Sequence, residues 1–145
     1  MHETLRRRIL RRLEALPEAK LYQALDYIES RASRELIVGA AFGGGLDHEL
    51  VNLAVLESRK LPFGLTLLDR GEARLLAKGT HAPALRRGDR FSLLAAPVAT
   101  VSIRGAKYVL SRARLRRGSR GLGNPVLHRV RLTVHAGRVW LISGR

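Results

Sequence analysis

The stretch Glu35-Leu-Ile-Val-Gly-Ala-Ala-Phe-Gly-Gly-Gly-Leu-Asp-His-Glu-Leu-Val-Asn52 decides how the first half of this chain is read. Its opening, Glu35 to Ala40, is an apolar run of strand length that stops at a glycine cluster. Asp47 then predicts an N-cap for a helix carrying Leu50, Val51, Leu53, Ala54 and Leu56. Strand, glycine loop and helix in that order belong to an α/β layer. A glycine loop at such a junction lets backbone N–H groups approach an anion, beside a helix end carrying about half a positive charge. Asp47 can cap the helix or orient a metal or ligand hydroxyl, and His48 can donate to a phosphate. A plain chain turn capped by Asp47 fits the same residues.

Upstream, Leu5, Ile9, Leu13 and Leu16 recur at helical spacing, with Arg6, Arg7, Arg8, Arg11 and Arg12 around them. Pro17 ends that helix and starts another, whose apolar face is Leu21, Ala24, Leu25 and Ile28. Downstream of Lys60 the pattern changes to short runs bounded by glycine and proline: 64–68, 74–77, 90–95, 99–103, 126–135 and 139–142. Val130 to His135 alternates apolar with polar, as a half-buried strand does. Ala136 and Gly137 predict a two-residue turn, so the chain is expected to end in a hairpin with Trp140 in the core. The expected fold class is α/β: a partial α/β layer (helix, strand, glycine loop, helix) over residues 1–60, followed by a C-terminal β-sandwich over 61–145.

The 145 residues carry no cysteine, which excludes disulfides, thiolate nucleophiles and the usual structural zinc sets. His2, His48, His81, His128 and His135 lack zinc-ligand spacing, and no Ser-His-Asp arrangement follows from the sequence. No apolar run reaches the length of a membrane span and His2–Arg8 is unlike a signal peptide, so a soluble cytoplasmic protein is expected. The net charge of +15 is unevenly spread. Residues 1–59 hold equal numbers of bases and acids, whereas 60–145 hold all the excess, with Asp69, Glu72 and Asp89 as the only acids. A basic half attracts polyanions such as ATP, diphosphate or nucleic acid. An arginine-rich coding habit gives the same composition.

A second motif follows in the basic half: Arg104-Gly-Ala-Lys-Tyr-Val-Leu110, then Leu115-Arg-Arg-Gly-Ser-Arg-Gly-Leu-Gly-Asn124. Together the two motifs resemble the thiamine pyrophosphokinase family over residues 20–145. That family has a strand ending in Gly-Ala, then Gly-Gly-Arg-x-Asp-His, then a helix with Asn four residues after the His. Gly43, Gly44, Asp47, His48 and Asn52 match it, whereas Gly45 stands where the family has arginine. The family's sandwich has Gly-x-Lys/Arg-Tyr-Pro-Leu and a Gly-Ser loop ending in Ser-Asn. Gly105, Lys107, Tyr108, Leu110, Gly118, Ser119, Gly121 and Asn124 match, allowing one residue fewer in the glycine loop, and Gly123 replaces the serine before the asparagine.

The resemblance implies transfer of diphosphate from ATP to thiamine, with Mg²⁺ as cofactor. It also implies a homodimer whose sites lie between the sandwich of one subunit and the α/β layer of the other. ATP phosphates would meet Gly43, Gly44, Asp47, His48 and Asn52, with Asp47 the candidate catalytic residue, and thiamine would meet Ser119 and Asn124. The family's Gly-Asp-x-Asp-Ser and Asp-x-Thr-Asp motifs have no counterpart here, so metal ligands stay unassigned and turnover stays open. Three other readings stand beside this one: a thiamine- or nucleotide-binding relative without catalysis, a basic nucleic-acid-binding module built on Arg6–Arg12 and Arg112–Arg120, and a non-catalytic assembly protein whose N-terminal amphipathic helix docks on a partner. The few aromatic residues are thin for base stacking.

Overall fold

The computed structural model describes residues 35–39, 45–60, 64–68 and 71–144. The helices expected over 3–31 and the glycines Gly43 and Gly44 lie outside the described residues. The chain divides into two compact units, Met1–Asp69 and Arg70–Arg145.

In the first unit, strand β1 (Glu35–Gly39), helix α1 (Leu46–Ser58) and strand β2 (Gly64–Leu68) form one βαβ step. The strands are parallel, with Glu35 opposite Gly64 and Gly39 opposite Leu68. A parallel pair needs a crossover that returns the chain to its starting edge, and the α1 helix supplies it. Leu65, Thr66 and Leu67 are buried in succession, the run expected of a strand covered on both faces. Helix α1 buries only its C-terminal half, through Val55 and Leu56. Leu46, Leu50 and Val51 are exposed, so the apolar face expected along the whole helix is used at one end only.

The second unit is built from antiparallel strands: β3 (Glu72–Leu76), β4 (Gly79–His81), β5 (Arg90–Ala106), β6 (Leu110–Arg116) and β7 (Asn124–Ser143). Strand β7 has β5 along one edge. Along the other it carries β3 at its C-terminal end (Leu75 opposite Trp140) and β4 nearer its start (Thr80 opposite Thr133). Partner numbers on β5 and β7 run in opposite senses, Ser92 with Ile142 and Ile103 with Leu132, and β6 completes the order beyond β5. Inward residues of these strands make one core: Phe91, Leu93, Val101, Ile103, Leu115, Val130, Leu132, Val134, Val139 and Leu141 among them. Trp140 is also buried, as its place in the sequence predicts.

The terminal hairpin expected at Ala136-Gly137 does not form. Strand β7 runs through, and the runs 90–95 and 99–103 are likewise one strand. Bulges make this possible: Ala95 lies opposite Val139 but Ala99 lies opposite Gly137, and His135 is left over between Ala136 and Val134. The buried positions of β7 accordingly switch from even (Val130, Leu132, Val134) to odd (Val139, Leu141) across the bulge. Each long strand thus bends and takes different neighbours at its two ends, the way a strand turns a corner between layers. Gly137 sits at the bend with φ 73, where an added Cβ would fall 2.1 Å from the Val98 carbonyl oxygen.

Candidate functional site

The N-terminus of α1 is built differently from the sequence expectation. Gly45, extended at φ −72 and ψ 156, is the N-cap, and Asp47 lies one residue inside the helix. Its carboxylate folds back over the cap, since a Cβ on Gly45 would meet Asp47 Oδ1 at 2.4 Å. Asp47 and Glu49 both sit in the first turn, where carboxylates complement the helix dipole. His48 Nε2 is 3.9 Å from Asp47 Oδ2, and both side chains are mostly exposed. His48 and Asn52, one turn apart, share a helix face. Asp47, His48 and Asn52 therefore do gather on one helix beyond the end of β1.

An anion approaching this terminus meets two carboxylates as well as backbone N–H groups. Among the described residues no three acidic or histidine side chains converge to hold a metal ion. Asp47 is a single exposed carboxylate, a set too small to cage Mg²⁺ by itself.

In the second unit, Asn124 is the centre of a different arrangement. The residue is 3% exposed, with Oδ1 accepting from Tyr108 N–H at 3.0 Å and Nδ2 donating to Tyr108 O at 2.8 Å. The amide acts as a short extra strand that clamps the Lys107-Tyr108 corner. Lys107 N–H donates to Pro125 O at 2.9 Å, which fixes the same corner from the other side of Asn124. Tyr108 and Val109 are exposed as a result, and Lys107 Nζ stands 5.6 Å from the Tyr108 ring centre. Gly105, φ 84, makes the preceding bend possible by lying against the Arg129 carbonyl, 2.2 Å from where a Cβ would stand.

Ser119 lies in the loop between β6 and β7 and is exposed; its carbonyl accepts from Leu122 N–H at 3.2 Å. That loop is fastened to β5 by Leu93 N–H to Gly121 O and by Gly123 N–H to Ser92 Oγ, both 2.9 Å. So the second motif is one assembly, with Asn124 on its inside and Ser119 and Tyr108 on its surface. Sequence reading missed the exposure of Tyr108 and the clamping role of Asn124. The signal available was the pairing of the Gly105-Ala-Lys107-Tyr108 corner with an asparagine opening the next strand.

With this geometry, solved structures supply the comparison. Thiamine pyrophosphokinase from Bacillus subtilis matches with a TM-score of 0.73 at 20% identity, over 86% of this chain and 62% of that one. The fold is that of the thiamine pyrophosphokinases. The enzyme from Geobacillus thermodenitrificans matches with a TM-score of 0.64 at 22% identity, over 84% of this chain and 59% of that one. The Candida albicans thiamin pyrophosphokinase covers 91% of this chain at 16% identity and a TM-score of 0.59. The resemblance read from the two motifs is borne out as a shared fold, and this chain spans about three-fifths of the length of the two bacterial proteins. No protein-family model matches the sequence, and no curated protein matches it. No described helix is long and apolar enough to cross a membrane.

Proposed function

We propose that this chain binds ATP and thiamine on a thiamine pyrophosphokinase fold and transfers diphosphate between them. The observation that supports the reading most is the joint one: both sequence motifs fall within a chain that matches thiamine pyrophosphokinase structures over 84–91% of its length. In the proposed reaction the thiamine hydroxyl oxygen attacks the β-phosphorus of ATP. The bond from that phosphorus to the bridging oxygen breaks, AMP leaves, and the hydroxyl proton passes to a base. Asp47 is the base proposed, since its carboxylate is exposed at the α1 terminus, and His48 and Asn52 are the donors proposed for phosphate oxygens. Mg²⁺, if carried in on ATP, would supply positive charge between the phosphates and the carboxylates of Asp47 and Glu49. Ser119 and the Tyr108 corner held by Asn124 are proposed to meet thiamine, the tyrosine ring offering a face for a cationic heterocycle. The partial α/β layer around α1, cytoplasmic residence and a homodimer sharing these sites belong to the same proposal.

Incubation with thiamine, ATP and Mg²⁺, followed by chromatography, tests it. Thiamine diphosphate is expected from the native chain and not from Asp47→Ala. Absence of product at high protein concentration, with thiamine still bound in a titration, would select the non-catalytic binding relative instead.

A further inference from the structure

The outward face of the second unit carries a feature that the thiamine reading does not use. Arg104 on β5 and Arg131 on β7 are direct cross-strand partners, and both point away from the core. Like charges placed opposite each other oppose strand pairing. Among the described residues neither guanidinium has a hydrogen-bond or ion-pair partner. Relief from an acid on the same strands is impossible, because β4, β5, β6 and β7 contain no aspartate or glutamate.

The two arginines line an open cleft of ≈ 290 Å³ with Thr80, Ser102, Thr133 and His135. Its hydroxyls are arranged as donors. Arg112 Nη1 can only donate, so the His135 Nδ1 that it approaches at 3.5 Å is an acceptor. His135 Nε2–H then donates to Ser102 Oγ at 2.8 Å, and Arg112 N–H donates to the same oxygen at 2.9 Å. Both lone pairs of Ser102 are engaged, which leaves its proton for a ligand. Thr80 and Thr133 share one hydrogen bond at 3.1 Å, and the hydroxyl that accepts keeps its own proton free. Arg112, at φ 45 in the bulge of β6, and Arg114, opposite Thr100, add positive charge on the neighbouring strand.

We propose that this cleft is a binding site for a small multiply charged oxyanion of the phosphate or diphosphate type. Paired guanidiniums supply the charge, and the hydroxyls of Ser102 and the Thr80–Thr133 pair fix the orientation. The cleft is concave and its lining holds no Phe, Tyr or Trp, so a phosphate group suits it better than stacked bases. The proposal does not depend on thiamine or ATP binding elsewhere.

Calorimetric titration of the full chain with inorganic diphosphate, at low ionic strength, tests it. Saturable binding is expected, weakened roughly tenfold by each of Arg104→Gln and Arg131→Gln and unchanged by Arg87→Gln, in the turn before β5 and outside the cleft's lining. Thr133→Val, isosteric and suited to a strand, keeps the test decisive if an arginine variant fails to fold; it should weaken binding several-fold. Binding of adenosine diphosphate with the same sensitivity to Arg104→Gln would identify the phosphoryl end of a nucleotide as the source, and binding of inorganic diphosphate alone a free anion. The proposal is overturned by no saturable binding, by equal binding in the double arginine variant, or by an equal loss in Arg87→Gln. It is also overturned if a single-stranded oligonucleotide occupies this face and diphosphate does not displace it.

Discussion

Asn124 illustrates how one buried polar side chain shapes a surface. Both ends of its amide are used on the Tyr108 backbone, so it cannot be shortened without loosening the corner that exposes the tyrosine ring. Asn124→Ala should cost about 2 kcal/mol in denaturant unfolding and weaken thiamine binding in parallel. Asn124→Asp should be worse at neutral pH, because a carboxylate would face the Tyr108 carbonyl. That loss should shrink as pH falls, since burial and the facing carbonyl raise the carboxyl pKa and the protonated form can donate. Unfolding measured at two pH values checks the sign. At the other motif, Gly45 is extended at angles open to any residue, and only the flexible end of Asp47 obstructs a side chain. Gly45→Arg should therefore fold, at a cost of under about 1 kcal/mol for the poorer cap. It should bind ATP roughly tenfold more tightly if phosphates lie there; an unchanged titration would place the nucleotide elsewhere.

At the scale of elements, the bend of β7 separates two effects that usually act together. Gly137 and Gly88 both have positive φ, at 73 and 94, but only Gly137 has backbone against its missing Cβ. Gly88→Ala should cost about 1 kcal/mol from conformation alone. Gly137→Ala adds a collision with the Val98 carbonyl and should cost at least about 2 kcal/mol more, which thermal or urea unfolding of the two variants would resolve. The hairpin reading at Ala136-Gly137 went astray for this reason. Glycine after a small residue signals a turn when the chain reverses, and the same pair serves a bulge when a neighbouring strand crosses close by. Strand β6 escaped notice because Arg112, Arg114 and Arg116 interrupt it, leaving Ala113 and Leu115 as its inward signal. The helix α1 was legible in Leu50–Leu56, but its cap was not, since an aspartate and a glycine are both acceptable at that position.

For the whole molecule, the proposed shared site makes a definite demand on assembly. Light scattering at tens of micromolar should give twice the mass of one chain, and a clear monomer would remove the shared-site model while leaving the fold assignment intact. The sequence by itself determined the two motifs, the order of a strand, loop and helix ahead of a β-rich basic half, and the burial of Trp140. These are local facts, written in periodicity, glycine spacing and charge. Only tertiary structure decided that two pairs of short apolar runs are two long bent strands, that Asn124 spends its amide on Tyr108, and that Arg104 faces Arg131 across a cleft without acids. Those features depend on register between distant segments. Register is fixed by which faces bury together and by where a bulge falls, and neither quantity is written in any single stretch of chain.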